Sequence, residues 1–167
     1  MRKFLFFLMC LSLSVTASAQ LQKVAFKSAT ATSSQSGEDA NKAIDGNYGT
    51  IWHSSYSSTS FPVTITLTLN EKTHVDILRY VPRQSGTNGN WNEVDVEYSE
   101  STIRNTWTSL GTYILNGSGS SYDFNMPEGD LSIARVRFKI KSGSGNFASA
   151  AEIEAYTIDN TKQEAFK

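Results

Sequence analysis

Apolar and polar residues alternate with a period of two through most of the chain. Val63, Ile65, Leu67 and Leu69 alternate with Thr64, Thr66 and Thr68, the pattern of a strand with one buried and one wet face. Similar patterning marks Val75–Tyr80, Val94–Tyr98, Trp107–Leu115, Tyr122–Met126, Ala134–Ile140 and Ile153–Thr157, and Val24–Thr32 opens the series. Glycine- and asparagine-rich stretches at 86–90, 116–119 and 142–145 separate these runs as turns. Asn116-Gly117-Ser118 matches an N-glycosylation sequon but reads as a hairpin turn. Gly37–Ile44 predicts a single helical turn, and no long segment carries a helical period. Many short strands with regular turns predict an all-β fold, an antiparallel β-sandwich.

The N-terminus breaks this pattern. Arg2 and Lys3 precede an apolar run from Phe4 to Val15, and Ala17-Ser18-Ala19 supplies a small-x-small cleavage pattern. Met1–Ala19 is therefore expected to be a secretory signal, too short for a membrane span. The alternative is a lipoprotein signal ending at Cys10, although Leu8-Met9-Cys10 is a poor lipobox and Cys10 lies early, inside the apolar run. The expected organisation is a signal over 1–19, one domain over 20–158 and a loosely held polar tail over 159–167.

Composition narrows the functions. The chain has 167 residues, a formal net charge of −1, one cysteine and two histidines. That balance excludes a strongly basic nucleic-acid binder, and a single cysteine excludes a disulfide framework or a cysteine-rich zinc site. Glu93, Asp95 and Glu97 form an acidic strand face, and Arg135, Arg137, Lys139 and Lys141 a basic one. Both read as solvated faces paired across neighbouring strands. Trp52 and Trp107 are expected in the core; Trp91, in a glycine- and asparagine-rich stretch, fits either a core anchor or an exposed platform.

The densest chemistry lies in Asn41-Lys42-Ala43-Ile44-Asp45-Gly46-Asn47-Tyr48-Gly49-Thr50-Ile51-Trp52-His53-Ser54. Hard oxygen donors on a glycine-bent backbone suit calcium, which takes six to eight oxygens, many of them main-chain carbonyls. The spacing is not that of an EF-hand, so a further donor must come from elsewhere, with Ala150-Ala151-Glu152 the candidate. The alternative is that Asp45 caps a turn through its side chain.

The order A-I-D-G-N-x-x-T-x-W-H-S, a Thr/Val-rich strand, Tyr80-Val81-Pro82-Arg83-Gln84, Asn88-Gly89, a V-x-V-x-Y-S strand, Trp107 and Ala151-Glu152-Ile153 resembles the discoidin-like, coagulation-factor type C family. Within that family it is most similar to bacterial family 32 carbohydrate-binding modules. The resemblance covers roughly Val24 to Ile158. It implies a jelly-roll β-sandwich with one structural calcium. Asp45 and Glu152 would give carboxylates, Thr50 its hydroxyl and carbonyl, and Lys42, Asn47 and Ala151 main-chain carbonyls.

The resemblance also implies a sugar site on loops at one end. His53 and Arg83 match the family's histidine and arginine, Asn88 its asparagine, and Tyr56 and Phe147 its aromatic positions. Gln35 stands where several relatives carry an acid, and Tyr56 where many carry Trp. The implied function is an exported, non-catalytic module for galactose, N-acetylgalactosamine or a related terminal sugar. The alternative on the same fold is an adhesion domain or a protein- or lipid-interaction domain. Catalysis is not expected: Asp45 and Glu152 would be consumed by the calcium, and neither His53 nor His74 lies near a nucleophile motif.

Overall fold

The computed structural model describes residues 20–57, 59–129 and 131–159. The secretory signal expected over 1–19 and nearly all of the expected tail lie outside the described residues. Eleven strands build the fold: β1 (Gln20–Val24), β2 (Phe26–Ala31), β3 (Trp52–His53), β4 (Val63–His74), β5 (Ile77–Val81), β6 (Trp91–Ser99), β7 (Thr108–Ile114), β8 (Tyr122–Asn125), β9 (Ser132–Gly143), β10 (Ser149–Ala150) and β11 (Glu152–Asp159). One sheet has the order β1-β11-β5-β8, the other β2-β4-β9-β6-β7, and β3 pairs with β10. All of these pairings are antiparallel. The fold is thus the all-β, jelly-roll antiparallel β-sandwich that the pattern and the resemblance predict. The expected helical turn is a short 3₁₀ segment, Ala40–Ile44, whose N-cap Asp39 accepts from the Asn41 N–H.

The alternation explains the core. Ile65, Leu67, Val96, Val136, Phe138 and Ile140 from the five-stranded sheet are fully buried against Leu78, Phe124, Ile153 and Ala155 from the other. Trp91 is completely buried and stacks on Tyr80 across the sandwich, ring centroids 4.0 Å apart. It is a core anchor, which closes the choice that the sequence leaves open. The threonines of β4 and the cations of β9 point outward, where Glu97 bonds Arg137 and lies 3.4 Å from Lys139, and Glu93 takes Lys141 at 2.5 Å. The two charged faces are therefore one paired surface.

Three expectations are corrected. The run Val24–Thr32 is not one strand: it divides at Ala25, with β1 in one sheet and β2 in the other. Asp159 is not in a loose tail: it pairs with Gln20 at the end of β11 and accepts from the Gln22 amide at 3.0 Å. Trp107 is not core. It lies half-buried on the outer face, with the guanidinium groups of Arg135 and Arg137 4.7 and 4.2 Å from its ring centre. Cation–π attraction and the Arg135 Nε bond to the Ser101 carbonyl hold that loop against the sheet.

Outward-facing carboxylates of the smaller sheet are tightly paired. Asp123 accepts both Nε and Nη2 of Arg79, which holds its carboxyl below the ordinary value. Burial would raise Glu154, but the Lys23 ammonium and the hydroxyls of Tyr156 and Tyr48 hold it below its ordinary 4.5. A lowered folded-state value stabilises the fold above the unfolded value and is lost as pH falls through the folded one. Urea midpoints are therefore expected to fall below about pH 4.5, and Glu154→Gln to show a shallower fall. An acid limb of the same steepness in Glu154→Gln would contradict the pairing.

Candidate functional site

The W-H-S segment organises one end of the sandwich. Trp52 is fully buried and donates Nε1 to the Ser33 carbonyl at 3.1 Å, tying down the turn after β2. His53 pairs with Ser149 across the β3–β10 ladder. Ser54 donates its N–H to the Ala148 carbonyl at 2.7 Å and accepts the Ala148 N–H on Oγ at 3.0 Å. Three consecutive residues thus bind a core, a ladder and a loop. They fix Gln35 on one side and Phe147 on the other.

Around them the structure gathers the predicted residues. The His53 ring lies 4.8 Å from Tyr56 and 5.1 Å from Phe147, and Tyr56 and Phe147 are 6.2 Å apart. His53 is almost fully buried and its Nδ1 lies 2.7 Å from the Ser54 carbonyl. A carbonyl only accepts, so Nδ1 carries a proton, and it is Nε2 that is left for a partner other than this carbonyl. Gln35 donates its N–H to the His53 carbonyl at 2.7 Å and accepts the Tyr56 N–H on Oε1 at 3.0 Å.

Arg83 donates Nε to the Ser85 carbonyl at 2.6 Å and Nη1 to the Asn88 carbonyl at 3.2 Å. Among the described residues Nη2 has no acceptor, so a guanidinium braced by its own loop keeps donors to spend. The exposed Asn88 side chain lies over Gly145, close enough that a Cβ there would be 2.6 Å from Oδ1.

Glu38 was not foreseen. It accepts the Tyr56 hydroxyl on Oε2 at 2.7 Å, and that bond raises the phenol above its ordinary value. Glu38 and Gln35 are joined by a β-bridge across a turn in which Gly37 has φ +83°. An acid three residues after Gln35, beyond a turn glycine, was the available signal. Glu38 thus places a carboxylate beside Gln35 and Tyr56.

The Asp45 loop lies beside this end. The Thr50 hydroxyl is 2.9 and 2.8 Å from Asp45 Oδ1 and Oδ2, and 2.9 Å from the Asn47 carbonyl. One proton cannot serve three acceptors, so oxygens outnumber hydrogens there, the donor chemistry of a hard cation. Burial works to raise Asp45, but Thr50, the Asn47 N–H and Lys42 together hold it below its ordinary value. Glu152 is buried, accepts the Gly46 N–H at 2.8 Å, and is raised chiefly by desolvation.

Asp45, Asn47, Thr50 and Glu152 are thus joined around one loop. The Lys42 ammonium is 3.6 Å from Asp45 Oδ2, and Ala151 is placed by its N–H bond to the Val81 carbonyl. Among the described residues no three His, Cys, Asp or Glu side chains converge, so a cation here would depend on hydroxyl and carbonyl oxygens. The residues present fit that chemistry.

Comparison with known proteins agrees with this architecture. The F5/8 type C domain model matches residues 28–153, and the chain belongs to that family. It is 34% identical over 137 residues to the A type blood N-acetyl-alpha-D-galactosamine deacetylase of Flavonifractor plautii, covering 77% of this chain and 17% of that protein. Among solved structures, CpGH89CBM32-5 from Clostridium perfringens, in complex with GalNAc-β-1,3-galactose, is 30% identical with a TM-score of 0.71, over 78% of this chain and 94% of that one. The family 32 carbohydrate-binding module of C. perfringens NanJ, in complex with galactose, superposes with a TM-score of 0.75 over 83% of this chain and all of that one; at 23% identity it speaks to the fold.

The loops of this end are closely fitted. Gly89 has φ +86°, and a Cβ there would lie 2.5 Å from Ser149 Oγ and 2.8 Å from its backbone nitrogen. Gly89→Ala is expected to cost roughly 1–3 kcal/mol in urea unfolding through overpacking and backbone strain. Unchanged stability would show that the loop is not seated on β10.

Proposed function

We propose that this chain is a non-catalytic, exported carbohydrate-binding module that holds a terminal galactose-type sugar, such as galactose or N-acetylgalactosamine, at the loop end of the sandwich. The observation that carries this reading is the cluster of the His53, Tyr56 and Phe147 rings, with Arg83 near enough to act on the Tyr56 hydroxyl electrostatically and bordering one cavity with Glu38. A sugar needs directed partners for its hydroxyls and an apolar surface for its C–H face. Arg83 Nη2 donates to one or two hydroxyls, His53 Nε2 accepts one, and Glu38 and Asn88 border them. Phe147 or Tyr56 covers the C–H face at low entropic cost. The 30%-identical module solved with GalNAc-β-1,3-galactose supports the sugar class.

A monosaccharide buries few atoms, so a Kd of about 0.1–1 mM is expected, and avidity would come from repeated modules or an attached enzyme. A charge-assisted hydrogen bond is worth about 1.5–3 kcal/mol, so Arg83→Ala should weaken methyl β-galactoside binding at least tenfold in calorimetry. His53→Ala should do the same. Unaltered affinity in both variants, or no binding across a panel of monosaccharides, would overturn the reading.

The Asp45 loop would hold a structural calcium through Asp45, Thr50 and Glu152 with carbonyls of Lys42, Asn47 and Ala151. Bound there, the ion would neutralise the carboxylates and join the loop to β11. Saturating calcium stabilises the folded state by mass action, so chelation is expected to lower the melting temperature by roughly 5–10 °C. Glu152→Gln should abolish the calcium response. Identical melts with and without chelator would remove calcium from the account.

A further inference from the structure

Two open cavities meet beside Tyr48. One, of about 520 Å³, is bordered by Arg83 and Glu38 of the loop cluster and extends past Lys42 to Tyr48. The other, of about 330 Å³, extends from Tyr48 past Pro82 to Arg79 and Glu154 on the outer side of the four-stranded sheet. Tyr48 and Gln84 line both. The two together make a groove that begins at residues of the proposed sugar site and leads away from it. Each lies within the roughly 300–1,000 Å³ of small-ligand clefts.

The ring between the cavities is exposed but anchored. Tyr48 is 46% exposed, yet its hydroxyl donates to Glu154 Oε1 at 2.8 Å. Glu154 is itself buried, and it also accepts from Lys23 at 2.7 Å and from the Tyr156 hydroxyl at 2.7 Å. A carboxylate with three donors fixes the far end of the ring. Immobilising an exposed side chain on binding has an entropic cost, and this anchor has already restricted the ring. Polar residues flank it: Lys42 lines the first cavity, Arg79 the second and Gln84 both. A restrained aromatic face beside donors and acceptors is the chemistry that stacks a pyranose ring and bonds its hydroxyls.

The geometry points to a second sugar subsite centred on Tyr48, which takes the residues of an oligosaccharide leading away from the terminal sugar. This inference rests on the terminal-sugar reading above. It makes the ligand an oligosaccharide end of at least two residues, with the terminal residue held by Arg83 and His53 and the inner ones passing over Tyr48.

The test uses the whole chain and one probe, the tetrasaccharide galactose-β-1,3-N-acetylglucosamine-β-1,3-galactose-β-1,4-glucose, with methyl β-galactoside as reference. In saturation-transfer NMR, saturation is expected on the terminal galactose and on at least one inner residue. In Tyr48→Ala the inner signals should vanish and the terminal one persist. By calorimetry the tetrasaccharide should bind roughly five- to tenfold tighter than methyl β-galactoside, and Tyr48→Ala should erase that gain without weakening the monosaccharide. Tyr48→Phe, which keeps the ring and loses the anchor, should retain part of the gain, and it serves as the folded control if the alanine variant melts early. Saturation confined to the terminal galactose, or equal affinities for the two probes, overturns the subsite and leaves the terminal-sugar reading standing. Saturation on no residue overturns both.

Discussion

A ladder two residues long, Trp52–His53 against Ser149–Ala150, is the constraint from which the loop end follows. Holding a loop residue in one backbone conformation costs about 1–2 kcal/mol, and the residues between strands here have little apolar surface with which to offset it. The ladder concentrates the compensation in one place. Trp52 goes entirely into the core, and the same three-residue segment uses its backbone and Ser54 Oγ to hold the chain before β10. The turn after β2, the 147–148 segment and the imidazole are then positioned relative to one another by a single rigid element.

The outward side of β11 shows how the same residue type is pushed in opposite directions by its surroundings. Glu152 and Glu154 are two positions apart and both buried. Glu154 receives three side-chain donors and is held as a carboxylate. Glu152 receives one backbone N–H and is raised by desolvation. The first is satisfied by the protein alone, while the second has lone pairs to spare beside Asp45. Burial alone therefore does not define a carboxylate's role; the number of donors turned toward it does.

Most of the sandwich was legible in the chain because its strands are half-buried, and half-burial writes itself as alternation. Val63–Leu69 and Ala134–Ile140 are plain for that reason. β1 was not legible, since QLQKV is an exposed edge segment with no buried face to impose a period. Trp107 was misplaced because its partners, Arg135 and Arg137, are distant in sequence, and cation–π contact has no local signature. Trp91 was ambiguous because the preceding glycines announce a loop, although β6 begins at Trp91 itself. At the loop end, the W-H-S segment pointed to residues that the structure brings together, His53 beside Tyr56 and Phe147. Glu38 was missed because its relation to Tyr56 comes from a turn closing, which spacing alone does not encode.

The pairing of Gln20 with Asp159 has an architectural consequence. Antiparallel partners have Cα atoms about 4.5–5.5 Å apart, so residues 20 and 159 lie at almost the same point in space. A host polypeptide could be opened at one peptide bond and this unit spliced in, with hardly any change in the distance between the cut ends. Anything covalently attached on either side would be joined through that one narrow neck, as a lamp head turns on its stalk.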